Sequence, residues 1–227
     1  MGRSKPLVRR AGQSFLARAI RGLWTSCDTV VVVLGHAGAR VRREAEAEFT
    51  TLAQQGRLQP DLRAMHNRRP ASHELEVHFI HNPQWSRGML GSARLGITAA
   101  LVLDPAAILL APVDHPAVSA ATVQALAGAI GQAVDAYRPP RGGGRARTAR
   151  RSAPGFAYAV VPRYRGERGH PVALSTPLAQ AVARDRRAHD LSDAIRRNAR
   201  LVGYLDVSDR GVVANVNRPA GAPARGR

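Results

Sequence analysis

Several things are scarce in this chain. It holds one cysteine, Cys27, so no disulfide can form within it and no cysteine cluster can hold a metal. It holds one lysine, Lys5, among 34 lysines and arginines. Aromatic residues make up 4% of the sequence, so Val, Leu, Ile and Ala must fill the interior. No apolar run approaches the roughly 20 residues that span a bilayer. No opening stretch has the charged, apolar and small-residue order of a secretory signal. These absences set the expectation of a cytoplasmic protein.

Acids are few as well: 16 against 34 basic residues, a formal charge of +18. Such a surface attracts polyanions and steers nucleotides inward. The arginines are spread along the whole chain, and the densest group (Arg141, Arg145, Arg147, Arg150, Arg151) sits in a Gly-rich stretch. That spread favours a solvated basic surface over a dedicated nucleic-acid site.

What is present is an alternation of strand-like and helix-like segments. Residues 14–24 place Phe15, Leu16, Ala19, Ile20, Leu23 and Trp24 on one helical face. TVVVVLG, 29–35, reads as a parallel strand buried on both faces. Helices follow at 38–55, 88–103, 118–134, 177–184 and 190–199. Further strands are expected at 75–83, 106–116, 156–162, 199–207 and 211–217. The 227 residues suffice for one sizeable domain, expected over 1–217 with a flexible loop at 138–155 and a disordered tail at 218–227. The alternation predicts an α/β fold: a mostly parallel sheet with helices on both faces, in three Rossmann-like layers.

Ligands of such sheets sit beyond the carboxyl ends of the strands. The residues there are Gly35-His36, Asn82-Pro83, Asp114-His115-Pro116 and Asn215-Val216-Asn217. A carboxylate such as Asp114 in that place suits Mg²⁺, which takes oxygen ligands and bridges substrate phosphates. Asp-His-Pro also reads as a simple turn, and so do the two asparagines. His170 in GERGHP follows two glycines, Gly166 and Gly169, that permit close backbone approach. His78 and His81 point to opposite faces of a strand and make no zinc site.

The order of these pieces is more specific than any one of them. Lys5, VVVVLG, NPQWSRGMLGSARLG, LLAPVDHP, GERGHPVALS and GVVANVN occur in succession. Together they resemble the nucleotidyltransferases that include the molybdenum-cofactor cytidylyl- and guanylyltransferases, with their nucleotide-diphospho-sugar transferase type of fold. The resemblance runs from Met1 to Pro219. It implies that a phosphate of an acceptor attacks the α-phosphate of CTP or GTP and releases pyrophosphate. The acceptor it implies is a phosphorylated small molecule of molybdopterin type. A molybdoenzyme or its maturation factor is an implied partner, and no membrane is involved.

The resemblance also implies roles. Met1-Gly2 and Lys5 match the end of the family's opening strand–LAAGxSxRMGxxK motif, with Gly2 in the nucleotide loop and Lys5 on the phosphates. Asp114 and Asn215 match the Mg²⁺ positions, and Asn82, Ser92 and His170 match pocket positions. Lys5 and Asp114 are the expected catalytic residues. The first strand and most of its glycine loop have no counterpart here, so a segment upstream of Met1 is expected. An alternative is a catalytically inactive homologue that serves as a basic nucleotide- or RNA-binding module.

Overall fold

A computed structural model describes residues 4–55, 75–136 and 157–216. Gly2, Asn217, the loop 138–155 and the tail 218–227 lie outside the described residues.

The chain enters through a 3-10 turn, Lys5–Leu7, and a small hairpin of β1 (Arg9–Arg10) and β2 (Gln13–Ser14). Helix α1, Phe15–Trp24, starts where Ser14 Oγ accepts a hydrogen bond from Ala17 N at 3.1 Å, an N-cap that satisfies an otherwise orphan donor. Its buried face is Phe15, Leu16, Ala17, Ile20 and Leu23. Buried Glu48 of α2 (Gly38–Gln54) accepts from Ser14 N at 2.8 Å and so ties this start to the next helix.

Strand β3, Thr29–Leu34, pairs in parallel with β4, Glu76–His81. A second sheet holds β5 (Ala107–Leu110), β6 (Tyr158–Tyr164), β7 (Glu167–Arg168), β8 (Val172–Ser175) and β9 (Leu201–Asp206). Here β8 lies antiparallel between β5 and β6, while β9 runs parallel to β6. The second sheet is therefore mixed, whereas the β3–β4 pair is wholly parallel. The four-residue VALS of β8 is too short for a periodic signal, and the turn-like GERGHP before it hides the strand. The segment 211–217 also departs from expectation: Arg210–Val212 form a 3-10 turn, so Asn215 follows a turn and not a strand. Strand β5 ends at Leu110, which places Asp114 in the turn beyond it.

Both faces of the second sheet are covered. Ile108, Ala159, Val161, Val172 and Leu174 pack with Ile97 of α3 (Met89–Leu101) and with α5 (Thr176–Arg184) and α6 (Leu191–Asn198). The alternate residues Val160 and Ala173 pack with Leu126 and Ile130 of α4, Ala120–Ala136. This is the two-residue alternation of a pleated strand.

The two sheets are not continuous. Leu109 of β5 shares a cluster with Val30 and Leu34 of β3, and α3 packs on both strands. Yet among the described residues β3 pairs only with β4, and β5 only with β8. Among the described residues, the inner edges of β3 and β5 have no ladder partner. Unpaired edges with helices across them are unusual, because backbone polar groups away from water are costly to leave unbonded.

Candidate active site

Asp114 sits in a turn in which His115 N bonds to Pro112 O at 3.3 Å. The turn is held from both sides. Arg18 of α1 donates to Pro116 O at 3.2 Å. Asn215, distant in sequence, donates through Nδ2 to Asp114 Oδ2 at 2.9 Å, and Val216 N bonds to Asp114 O at 3.1 Å. The two residues expected to share a cation are thus in contact.

Packing makes that contact possible. A Cβ on Gly169 would lie 2.7 Å from Val212 C and 2.8 Å from Val212 Cβ, and one on Gly211 would meet Ala117 O. Only glycines allow the 209–216 segment so close to the two turns it joins. Asp209 fastens it further. Its Oδ2 accepts from Ser119 N and Thr122 Oγ1 at 2.8 Å each, and its Oδ1 accepts from Gly211 N at 2.7 Å. Burial alone would raise the Asp209 carboxyl, but these donors hold it below the usual carboxylate range.

Gly169, His170 and Pro171 lie between β7 and β8, and the His170–Pro171 peptide is cis. His170 N bonds to Val212 O at 2.9 Å. The His170 ring then stands 5.0 Å from the His115 ring, centroid to centroid, tilted by 58°. Nδ1 of each is buried and has no hydrogen-bond partner among the described residues. Burial pushes the His170 pKa down to about 4, nearby His115 adds to this, and Asp114 partly opposes it. His170 is therefore a neutral imidazole at neutral pH.

Asn82 and Ser92 also come together, with Asn82 Nδ2 donating to Ser92 Oγ at 2.9 Å. Asn82 is buried, and its Oδ1 accepts from Gln84 N at 2.9 Å. Both ends of the amide thus hold the turn between β4 and α3. Lys5 stands apart. It is exposed in the opening 3-10 turn, against α1 and α2, with no bond to Asp114, Asn82 or His170.

The donor set fits a hard divalent cation. One carboxylate and one amide oxygen, with phosphate oxygens completing the shell, is how Mg²⁺ is commonly held. Among the described residues no cluster of three or more His, Cys, Asp or Glu competes as a metal site. The Asn215 amide presents its nitrogen to Asp114 Oδ2, and a cation would be held through its oxygen. Sequence reasoning placed His115 beyond a strand end without giving it a role, and it missed Asp209. His115 adjoins the singled-out Asp114, but nothing local says that it faces His170. Asp209 has little local signal, because two of its three donors, Ser119 and Thr122, come from the start of α4.

A family model described as MobA-like NTP transferase domain matches residues 1–201. No curated protein sequence matches the chain. Among solved structures, that of Rv0371c from Mycobacterium tuberculosis H37Rv is similar, with a TM-score of 0.57 and 17% identity over 91% of this chain and 81% of that one. Its complex with manganese gives a TM-score of 0.54 at 20% identity, over 91% and 83%. An Rv0371c homolog from Mycobacterium sp. strain JC1 gives 0.50 at 18%, over 89% and 77%. At such identities the likeness shows the fold. The family match over most of the length shows membership: this chain belongs to the MobA-like NTP transferase domain family.

Proposed function

We propose that this protein transfers a nucleoside monophosphate from CTP or GTP to a phosphorylated small molecule, with a molybdopterin-like acceptor favoured. An acceptor phosphate oxygen bonds to the α-phosphorus, the α–β bridging P–O bond breaks, and pyrophosphate leaves. The fold expected is the three-layer α/β/α arrangement, with the nucleotide across the carboxyl ends of the strands. The carrying observation is the 2.9 Å contact of Asp114 with Asn215 in a chain of this family.

Each residue then has a physical task. Asp114 and Asn215 would hold a divalent cation, Mg²⁺ in this reading; manganese in the Rv0371c complex supports a divalent ion. Such an ion neutralises phosphate charge and orients the triphosphate. His170, kept neutral by burial, stands against His115 beside Asp114 and brings no charge of its own to the site. Lys5 would offset charge on the leaving pyrophosphate, and Gly2 would belong to the nucleotide loop. The basic surface would raise the local concentration of nucleotide.

Calorimetric titration with CTP and GTP, with Mg²⁺ or Mn²⁺ present, tests the reading. Cation-dependent binding of one nucleotide, lost in Asp114→Ala, is expected. No nucleotide binding by the wild type would overturn it. Salt-sensitive RNA binding that survives Asp114→Ala would favour the inactive binding module instead.

A further inference from the structure

Trp85 is 44% exposed at the carboxyl end of the β3–β4 pair, yet it is firmly held. It opens the 3-10 turn Trp85–Arg87, and its own N bonds to Asn82 O at 3.3 Å. Asn82 braces that turn through Gln84 N and braces α3 through Ser92. From the other strand, Gly35 comes so close that a Cβ there would lie 2.8 Å from Trp85 Cβ. The next residue, His36, sets its ring 5.2 Å from the Trp85 ring, tilted by 58°. One turn on, Met89 is 71% exposed.

An indole on a turn fixed by hydrogen bonds around Asn82, packed on Gly35 and still 44% exposed, costs little entropy when something stacks on it. Aromatic faces take flat heterocycles, and such stacking tolerates different bases. We propose that Trp85, backed by His36, is a stacking shelf for a planar heterocycle at the carboxyl end of β3 and β4. Asn82 and Ser92 are positioning residues that fix the shelf, and Gly35 is glycine to leave room for it. The inference rests on the nucleotidyltransferase reading and deepens it. The heterocycle is the base of the nucleotide or the fused ring of the acceptor, which share this chemistry.

The test uses four probes on the full chain: CTP, GTP, inorganic tripolyphosphate and a free pterin. Binding is followed by calorimetry and by tryptophan emission, with Trp24 as the second tryptophan. Trp85→Ala is expected to weaken the preferred nucleotide by at least about tenfold while tripolyphosphate binding stays within about twofold. Trp85→Phe is expected to keep most of the affinity. Selective loss of pterin binding instead assigns the shelf to the acceptor side. Two results overturn the proposal: unchanged binding of every probe, or a parallel fall for tripolyphosphate, which marks a structural role. Nucleotide binding by the wild type, with every probe bound unchanged by Trp85→Ala, sinks the shelf alone. A wild type that binds neither nucleotide nor pterin sinks both readings.

Discussion

Replacing Gly169 by alanine isolates the packing that builds the site. The backbone of Gly169 is not in the left-handed region, so alanine is strained there by space alone. Its Cβ would meet the backbone of Val212, at 2.7 Å from the carbonyl carbon. Ordinary contact needs about 1 Å more. Val212 O is also the acceptor for His170 N at 2.9 Å, so the shift strains that bond. Overpacking costs about 1–3 kcal/mol. A buried amide left unbonded costs about 1–3 kcal/mol more. The sum, roughly 2–6 kcal/mol, is a large part of a typical stability of about 5–15 kcal/mol. For a chain of this size it lowers the melting temperature by roughly 5–20 °C. Gly128 of α4 is the control. A Cβ there meets nothing within 4 Å, so Gly128→Ala should gain about 0.5–1 kcal/mol. Thermal and urea unfolding of both variants, with Mn²⁺ titration of Gly169→Ala, form the assay. A Gly169→Ala protein with wild-type melting and wild-type Mn²⁺ affinity would refute the reasoning.

Asp209→Ala removes the acceptor of three bonds, two of them from the start of α4, and should cost about 1–2 kcal/mol by urea unfolding. The same variant should bind Mn²⁺ more weakly, because the segment that carries Asn215 loses its anchor. The depressed Asp209 pKa also predicts a pH effect. Its stabilising bonds are fully present above the usual carboxylate pKa of 3.8 and are lost as pH falls below it. The acid limb of a stability–pH curve should therefore flatten in Asp209→Ala. In hydrogen exchange, the amides of Thr29–Leu34 that face away from β4 should exchange much faster than their neighbours. Uniform protection along β3 would show that its inner edge is paired.

The sequence alone determined what depends on neighbours a few residues away. The apolar face of α1 follows from helical spacing, and β3 from an unbroken β-branched run between turn signals. Asp114 could be singled out because an acid just past a buried apolar run stands at a sheet's carboxyl end. Only the tertiary structure decided the partners. Asn215 meets Asp114 and Asp209 caps α4 across spans of 101 and 90 residues. No local pattern encodes such pairings, because they are set by how close two backbones can pack. Glycine positions carry that information, but they state it only once the opposing chain is in place. The same holds for β8, whose direction is chosen by the strands on either side, and for the edges of β3 and β5 that are unpaired among the described residues. Strand propensity predicts that a segment extends; it is silent on which edge finds a partner.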